Sequence, residues 1–305
     1  MSKFMFSKLA LVLAITTVVN SFAATDASKE NDKNAKVHPL WAVTEGIDAP
    51  ECTYYDNESK TIFVSAVGGK PDEKDGNGAI HKLDKSGKMI AKDWVRGLNA
   101  PKGLRAYKGT LWVSDIDQVI AINIEDGAVA KKIDIPGAKF LNDVAVDDSG
   151  VVFVSDTLVS RIYRIEGDKS SVFIDGKQLE SPNGLLVHGN KLIVASWGLI
   201  EEGNWNTKST GHIYSIGLGT KLINKITRRP LGHLDGLEMD SKGNFIVSDW
   251  MAGKVFRVKA ASGKSETLMY GFKGSADIGI IPSTQILIVP RMGENKVTAY
   301  PLSKL

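Results

Sequence analysis

Short apolar runs recur along the chain in groups, and equivalent runs of successive groups align with one another. These runs are rich in Val, Ile and aromatic residues, are four to eight residues long, and are separated by Gly-containing turns, which predicts β-strands. The second run of each group reads TIFVSA, LWVSD, VFVSD, LIVAS, FIVSD and ILIVPR. The third run reads AIHKL, VIAIN, RIYRI, HIYSI, KVFRV and KVTAY. The chain therefore repeats one β-rich unit six times.

One polar residue stands just ahead of the first apolar run of each unit. The six residues are Glu51, Lys102, Asn142, Asn183, Asp235 and Asp277. Their spacings are 51, 40, 41, 52 and 42 residues. A period near forty with four short strands per unit is typical of a β-propeller blade. We therefore predict an all-β, six-bladed β-propeller over residues 37–305, with four-stranded antiparallel blades and the six polar residues at one end of the central channel.

The last unit ends without a fourth strand of its own, and the segment Val37–Val43 precedes the first unit without a blade of its own. Pairing the two would close the ring and protect an exposed strand edge. A two-sheet sandwich and an open β-solenoid are the alternatives. Because three strand registers agree across six units, the sequence favours the propeller with an N-terminal closing strand.

The N-terminus has the pattern of a secretory signal peptide. Lys3 and Lys8 precede the apolar segment Leu9–Val19, and small residues at Ser21 and Ala23 suit cleavage after Ala23. A retained membrane anchor would need about 20 apolar residues. We therefore expect a signal peptide at residues 1–23, a disordered spacer at 24–36, and a periplasmic or secreted protein that has no membrane association after cleavage.

Charge and cysteine content narrow the classes of partner. Without residues 1–23 the chain has 36 basic residues (38 minus Lys3 and Lys8) and 35 acidic ones. No concentrated basic face is evident, so we expect no nucleic-acid partner. The single cysteine, Cys52, excludes an internal disulfide.

Four of the six polar residues form a set of ligands that would bind a metal through oxygen alone. They are Glu51, Asn142, Asn183 and Asp235. Carboxylate and amide oxygens without His or Cys suit Ca²⁺ far better than Zn²⁺, although another divalent cation would fit the same set. The alternative is a water-filled channel lined by polar side chains.

Two long connections between second and third strands lie on the face where the polar residues are expected. They are Ala66–Gly78 and Ser196–Gly211. The second contains Trp197 and Trp205, and Trp250 follows a second strand of the next unit. Long loops often carry binding specificity, so these aromatic residues are either walls of a pocket or packing between blades.

The strings PECTYYDNESKTIFVS, FLNDVAVDDSGVVFVSD, SPNGLLV and HLDGLEMDSKGNFIVSD resemble the senescence marker protein 30/gluconolactonase/luciferin-regenerating-enzyme family, with a more distant similarity to paraoxonases. The resemblance extends over residues 37–305 in blade order. It implies a divalent cation, usually calcium, held by Glu51, Asn142, Asn183 and Asp235, and hydrolysis of lactones or related esters with Asp235 as candidate general base. The family often has an Arg two residues before Asn142, where this chain has Phe140.

The hypothesis that follows is an exported, calcium-dependent hydrolase of a small lactone or ester. The cation polarises the carbonyl and Asp235 activates water, while Lys102 or His233 orients the product or moves a proton. One alternative is a non-catalytic propeller, similar to NHL-repeat proteins, that binds a peptide, a glycan or a partner protein. Another is a metal-free propeller similar to strictosidine synthase.

Overall fold

The structure is a computed structural model, and it describes residues 37–201, 205 and 207–305. The described chain forms six sheets, each with four antiparallel strands. The sheets form a ring in which each inner strand contacts those of its neighbours. The prediction of an all-β, six-bladed β-propeller is confirmed. The predicted signal peptide (1–23) and spacer (24–36) lie outside the described residues, and the compact unit begins at Val37.

The first five blades each use four consecutive strands, from the channel outward. Blade 1 contains β2 (Pro50–Asp56), β3 (Thr61–Ala66), β4 (Gly78–Leu83) and β5 (Met89–Leu98). Blade 2 contains β6 (Pro101–Tyr107), β7 (Thr110–Asp115), β8 (Gln118–Asn123) and β9 (Val129–Asp134). Blade 3 contains β10 (Leu141–Val146), β11 (Val152–Asp156), β12 (Arg161–Glu166) and β13 (Lys169–Asp175). Blade 4 contains β14 (Pro182–His188), β15 (Lys191–Ser196), β16 (Ile213–Gly217) and β17 (Ile223–Lys225). Blade 5 contains β18 (Leu234–Met239), β19 (Phe245–Asp249), β20 (Lys254–Val258) and β21 (Ser265–Tyr270).

Blade 6 is assembled from both ends of the described chain. It contains β22 (Gly279–Ile281), β23 (Ile286–Arg291), β24 (Lys296–Pro301) and, as its outer strand, β1 (Trp41–Val43). In this pair Trp41 lies opposite Ala299 and Val43 opposite Val297. The Trp41 indole also donates a hydrogen bond of 3.1 Å to the carbonyl of Lys85 in blade 1. The predicted closure by an N-terminal strand is therefore confirmed.

Three short 3₁₀ segments complete the described secondary structure, at Lys177–Leu179, Met292–Glu294 and Leu302–Lys304. Within the described residues, none of the helical segments is long and apolar enough to cross a membrane.

Six buried hydrophobic clusters lie in the described chain, one in each seam between neighbouring blades, and a smaller seventh cluster contains Val67, Ala100 and Ile116. In the seam between blades 1 and 2, for example, Phe63 and Ile80 pack with Leu104 and Val113, and all four are fully buried. Alternating strand residues point to opposite faces of a sheet. Each blade therefore buries both faces, which explains the long apolar runs in its middle strands.

Buried serines near the ends of the second strands tie neighbouring blades together. The Ser155 hydroxyl accepts a hydrogen bond of 3.0 Å from the amide of Asp143 in its own blade and donates one of 2.7 Å to the carbonyl of Asn183 in the next. Ser248 donates an equivalent hydrogen bond of 2.8 Å to Ala276. The serine of the V-S-D sequence thus fixes where the next inner strand begins.

Candidate metal centre and channel mouth

The inner strands bring five of the six polar residues to equivalent positions. In these five blades the first residue of the inner strand pairs with the last residue of the second strand, as Leu141 pairs with Asp156 and Leu234 with Asp249. The polar residue comes directly after that first residue. All five side chains are buried; they are Glu51, Lys102, Asn142, Asn183 and Asp235. The four predicted metal ligands therefore occupy the same level of the ring.

Asp277 does not share that position, and its assignment to the ring is wrong by one residue. In blade 6 it is Ser275 that pairs with Arg291 at the end of the second strand. Ala276 therefore occupies the ring position, and its carbonyl accepts the hydrogen bond from Ser248. Asp277 lies one residue further along, and its amide donates a hydrogen bond of 2.8 Å to the carbonyl of Glu51. Aligning the string ADIGII with the other units by its acidic residue places Asp277 in the ring. The hydrogen bonds of blade 6 show that this alignment is shifted by one residue.

Three oxygens of the predicted ligand set are buried without a hydrogen-bond partner among the described residues. They are Glu51 Oε2, Asn183 Oδ1 and Asp235 Oδ1. A buried acceptor without a partner costs about 1–3 kcal/mol, and more when it is charged. A hard cation would satisfy all three, and Asn142 provides a fourth side chain at the same level of the ring. The donor set therefore fits a calcium-type ion.

The set contains only two carboxylates and relies on amides for the remainder. Accordingly, no group of three or more His, Cys, Asp or Glu side chains suited to a metal occurs within the described ranges. The Asn183 carbonyl is held by Ser155, and the Asn142 carbonyl accepts a hydrogen bond from Ser114. The backbone beneath both amide side chains is therefore fixed by the preceding blade.

Burial and neighbouring negative charges perturb both carboxyl groups. Burial raises the pKa of Glu51 well above its ordinary value, and the charge of Asp235 raises it further. Burial, followed by the charges of Asp143 and Asp249, raises the pKa of Asp235 to about 8, and a hydrogen bond from Asn183 opposes the rise. The surroundings therefore disfavour the charged form of both carboxyl groups, and a bound cation would favour it.

Lys102 is anchored at the mouth rather than extended into it. Its ammonium donates hydrogen bonds to the carbonyls of Pro71 (2.9 Å) and Ala100 (3.0 Å) and lies 4.3 Å from the centre of the Phe140 ring. Burial lowers its pKa to about 8, and the charge of Glu51 opposes that change. Because Pro71 belongs to the long loop of blade 1, Lys102 attaches this loop to the channel mouth.

His233 lies on the rim of the mouth. Its Nε2 is 2.9 Å from Thr207 Oγ1, and its ring centre is 5.2 Å from that of Trp197. Burial lowers the pKa of His233, with the charge of Asp249 opposing, so the imidazole is neutral at pH 7. The structure thus places His233 beside the long loop of blade 4.

An aromatic cluster from three blades borders the mouth. Trp197 lies 6.1 Å from Trp250 and 6.2 Å from Trp205, measured between ring centres, and Trp205 lies 4.8 Å from Phe140. The indole Nε1 of Trp197 is buried and has no partner among the residues that the structure describes. These rings pack against one another across blades, yet they retain an unused hydrogen-bond donor.

An ion pair crosses the channel below the ring. Arg105 of blade 2 and Glu238 of blade 5, which face each other in the ring, approach to 2.9 Å between Nη1 and Oε1. Their side chains are only 15% and 16% exposed, and the guanidinium carbon of Arg105 lies 5.0 Å from the centre of the Tyr54 ring. The charges of Glu238, Asp143 and Asp277 outweigh burial and raise the pKa of Arg105. Sequence reasoning missed this pair, which we call the channel strut.

The two members of the channel strut do share a signal in the sequence. Each lies three residues after a ring position, since Arg105 follows Lys102 and Glu238 follows Asp235 on an inner strand. In a ring of six blades, blades 2 and 5 face each other, so opposite charges at these equivalent positions can meet across the channel. The strut spans the channel beneath the candidate metal centre.

Comparison with known proteins places the chain by its fold. No protein-family model matches it, and no curated protein matches it. Among solved structures, it is similar to a catalytically inactive variant of virginiamycin B lyase from Staphylococcus aureus with quinupristin, at 14% identity and a TM-score of 0.59, over 88% of this chain and 99% of that one. A streptogramin B lyase has 11% identity and a TM-score of 0.58, over 85% and 96%. A chain of a nidogen/laminin complex has 16% identity and a TM-score of 0.58, over 74% and 91%.

These similar structures include both enzymes and a protein of a binding complex. At identities of 11–16% the likeness is one of fold, and a propeller fold hosts many unrelated functions. The function must therefore be argued from the residues at the channel mouth.

Proposed function

We propose that this protein is an exported, divalent-cation-dependent hydrolase of a lactone or related ester, with calcium as the cation. The reaction takes place at the channel mouth, and the cation is held by Glu51, Asn142, Asn183 and Asp235. The substrate is a small molecule, and it enters from the face that carries the long loops.

One observation carries this proposal: three of the four ligand side chains present buried oxygens that no described residue satisfies. A structural channel lining would be expected to pair such atoms with neighbouring donors. Here Lys102, the nearby donor, is instead bonded to two main-chain carbonyls. The unsatisfied oxygens and the raised pKa values of Glu51 and Asp235 both favour a cation at this level of the ring.

The chain's own residues account for the remaining chemistry. A bound divalent cation supplies a Lewis acid that polarises the substrate carbonyl. Asp235, once deprotonated, accepts a proton from the attacking water. Lys102 offsets part of the negative charge of Glu51, and the neutral imidazole of His233 exchanges protons with the product at the rim.

Calcium titration by calorimetry, with chelator-treated protein, tests the cation site directly. We expect binding to a single site, with release of protons below pH 8 because the pKa of Asp235 is raised to about 8. The variant Asp235→Asn should lose binding. Asp277→Asn is the matched control, since it removes a buried carboxylate one residue outside the ring register and should retain binding.

A panel of lactones and esters, assayed with and without chelator, tests catalysis. Turnover that disappears with chelator and returns with calcium supports the proposal. The absence of both calcium binding and turnover would refute the proposal. It would favour the non-catalytic alternative, a propeller that binds a peptide, a glycan or a partner protein. Turnover that persists in the presence of chelator would refute only the role of the cation.

A further inference from the structure

The rim above the candidate metal centre is aromatic. Phe140 and His233 each stand two residues before a predicted ligand, Asn142 and Asp235 respectively. They therefore flank the ligands on the side toward the mouth. Trp197 contacts His233, with 5.2 Å between ring centres. A molecule that reaches the metal centre must pass these rings.

The cation nearest this rim is already engaged. Lys102 is 1% exposed, and its ammonium is bonded to two main-chain carbonyls and covered by the Phe140 ring. It cannot also bind hydroxyl or carboxylate groups of a substrate without breaking these contacts. The rim is therefore poorly suited to a polyhydroxylated substrate.

Trp197 provides one polar contact within this apolar surface. Its ring contacts those of Trp205, His233 and Trp250, while its Nε1 is buried and, within the described chain, unpartnered. Buried indole N–H groups usually find an acceptor. An acceptor on the substrate would satisfy this donor.

Resting on the proposed function, we propose that the substrate is a lactone or ester whose non-reacting part is flat and apolar and carries a hydrogen-bond acceptor for the Trp197 indole. The aromatic rim receives the apolar part of the substrate, and the substrate carbonyl lies above the ring of oxygen ligands. Sugar lactones, whose hydroxyl groups would lose water against these rings without gaining partners, are excluded.

Binding of lactams, which resist hydrolysis, tests substrate class separately from catalysis. Calorimetry on the calcium-loaded protein would compare a methoxy-substituted dihydroquinolinone, a flat aromatic lactam whose ether oxygen supplies the acceptor on its apolar part, with gluconolactam, a hydroxylated one. We expect the aromatic lactam to bind at least about tenfold more tightly, the ratio equivalent to one hydrogen bond. Equal binding of the two, or binding of neither, would overturn the inference.

The variant Trp197→Phe keeps a ring and removes the donor. It should weaken dihydroquinolinone binding about tenfold and leave the calcium affinity unchanged. Trp112→Phe is the matched control, because Trp112 in blade 2 also has a buried Nε1 without a partner among the described residues; it should change neither affinity. The inference is wrong if Trp197→Phe binds dihydroquinolinone as tightly as the parent does. If the melting temperature of Trp197→Phe has collapsed, Trp250→Leu decides instead, and intact dihydroquinolinone binding in that variant would also overturn the inference.

Kinetics separate this inference from the proposed function. We expect a higher kcat/KM for dihydrocoumarin than for δ-gluconolactone, in a calcium-dependent reaction. A preference for δ-gluconolactone would overturn the substrate class while supporting hydrolysis. Tight, selective binding of dihydroquinolinone without turnover of either lactone would support the substrate class while refuting hydrolysis.

Discussion

Removing one member of the channel strut should destabilise the propeller strongly. Arg105→Met keeps most of the side-chain volume and leaves Glu238 buried and unpaired. At 2.9 Å and an effective dielectric of 20, the attraction between the two charges is about 6 kcal/mol. Much of that offsets the loss of hydration, and breaking a buried pair typically costs about 3–5 kcal/mol. The melting temperature should fall by about 6–20 °C for a chain of this size.

The surroundings of the strut predict an asymmetry between its two members. Arg105 also faces Asp143 and Asp277, so its removal leaves three carboxyl groups without a counter-charge. Glu238→Met leaves Arg105 still beside Asp143 and Asp277 and should be the milder change. The double variant removes both charges of the strut and leaves only Asp143 and Asp277 without a counter-charge, so it should be less destabilised than Arg105→Met.

Urea unfolding of the parent, both single variants and the double variant, followed by tryptophan fluorescence and circular dichroism, gives the coupling energy of the pair. The account of the strut is refuted if Arg105→Met stays within about 1 kcal/mol of the parent, the range typical of an exposed pair. It is also refuted if the double variant loses as much stability as the two single variants combined.

Three further predictions follow from the site and the ring. The folded-state pKa of Asp235 is raised from 3.8 to about 8, so the cation-free folded protein binds more protons than the unfolded chain between those values. Its melting temperature should therefore fall as pH rises from about 4 to 8, and a scan of Asp235→Asn with chelator should show a flatter dependence. Ser155→Ala should cost about 1–2 kcal/mol and weaken calcium binding, since this serine holds the Asn183 carbonyl. Ser275→Ala, which removes a buried hydroxyl bonded to the Asp249 carbonyl from a blade without a predicted ligand, should cost the same and leave calcium affinity unchanged, and equal affinities of the two variants would contradict the positioning role. Deleting Trp41–Val43 should lower stability by at least about 3 kcal/mol in urea unfolding, whereas an unchanged transition would show that the closing strand is dispensable.

The repeat pattern predicted the fold because each blade places its strands in the same order with the same alternation. Glu51, Asn142, Asn183 and Asp235 could be located in the same way, as the polar residue before each inner strand. Asp277 was misplaced because the sequence offers a plausible acid next to the true position. Only the hydrogen bonds of blade 6 show the register.

Features that join distant parts of the ring could not be read from a single repeat. The contact between Arg105 and Glu238 depends on which blades face each other, and therefore on the closed ring. The cluster of Trp197 and Trp250 depends on how a long loop folds back, which strand periodicity does not describe. Whether Asp235 Oδ1 has a partner is a question of atomic positions, and no pattern of residue types answers it.

Closure through β1 sets the order in which the molecule can be completed. Trp41 pairs with Ala299, 258 residues later (299 minus 41), and bringing such distant segments together has an entropic cost of about 5 kcal/mol from the length dependence alone. Blades 1 to 5 each use a contiguous segment and can form in chain order, as soon as their own strands exist. Blade 6 can form its three inner strands in the same way but needs the distant β1 as its outer strand, so we expect its completion to be the slow, long-range step of folding.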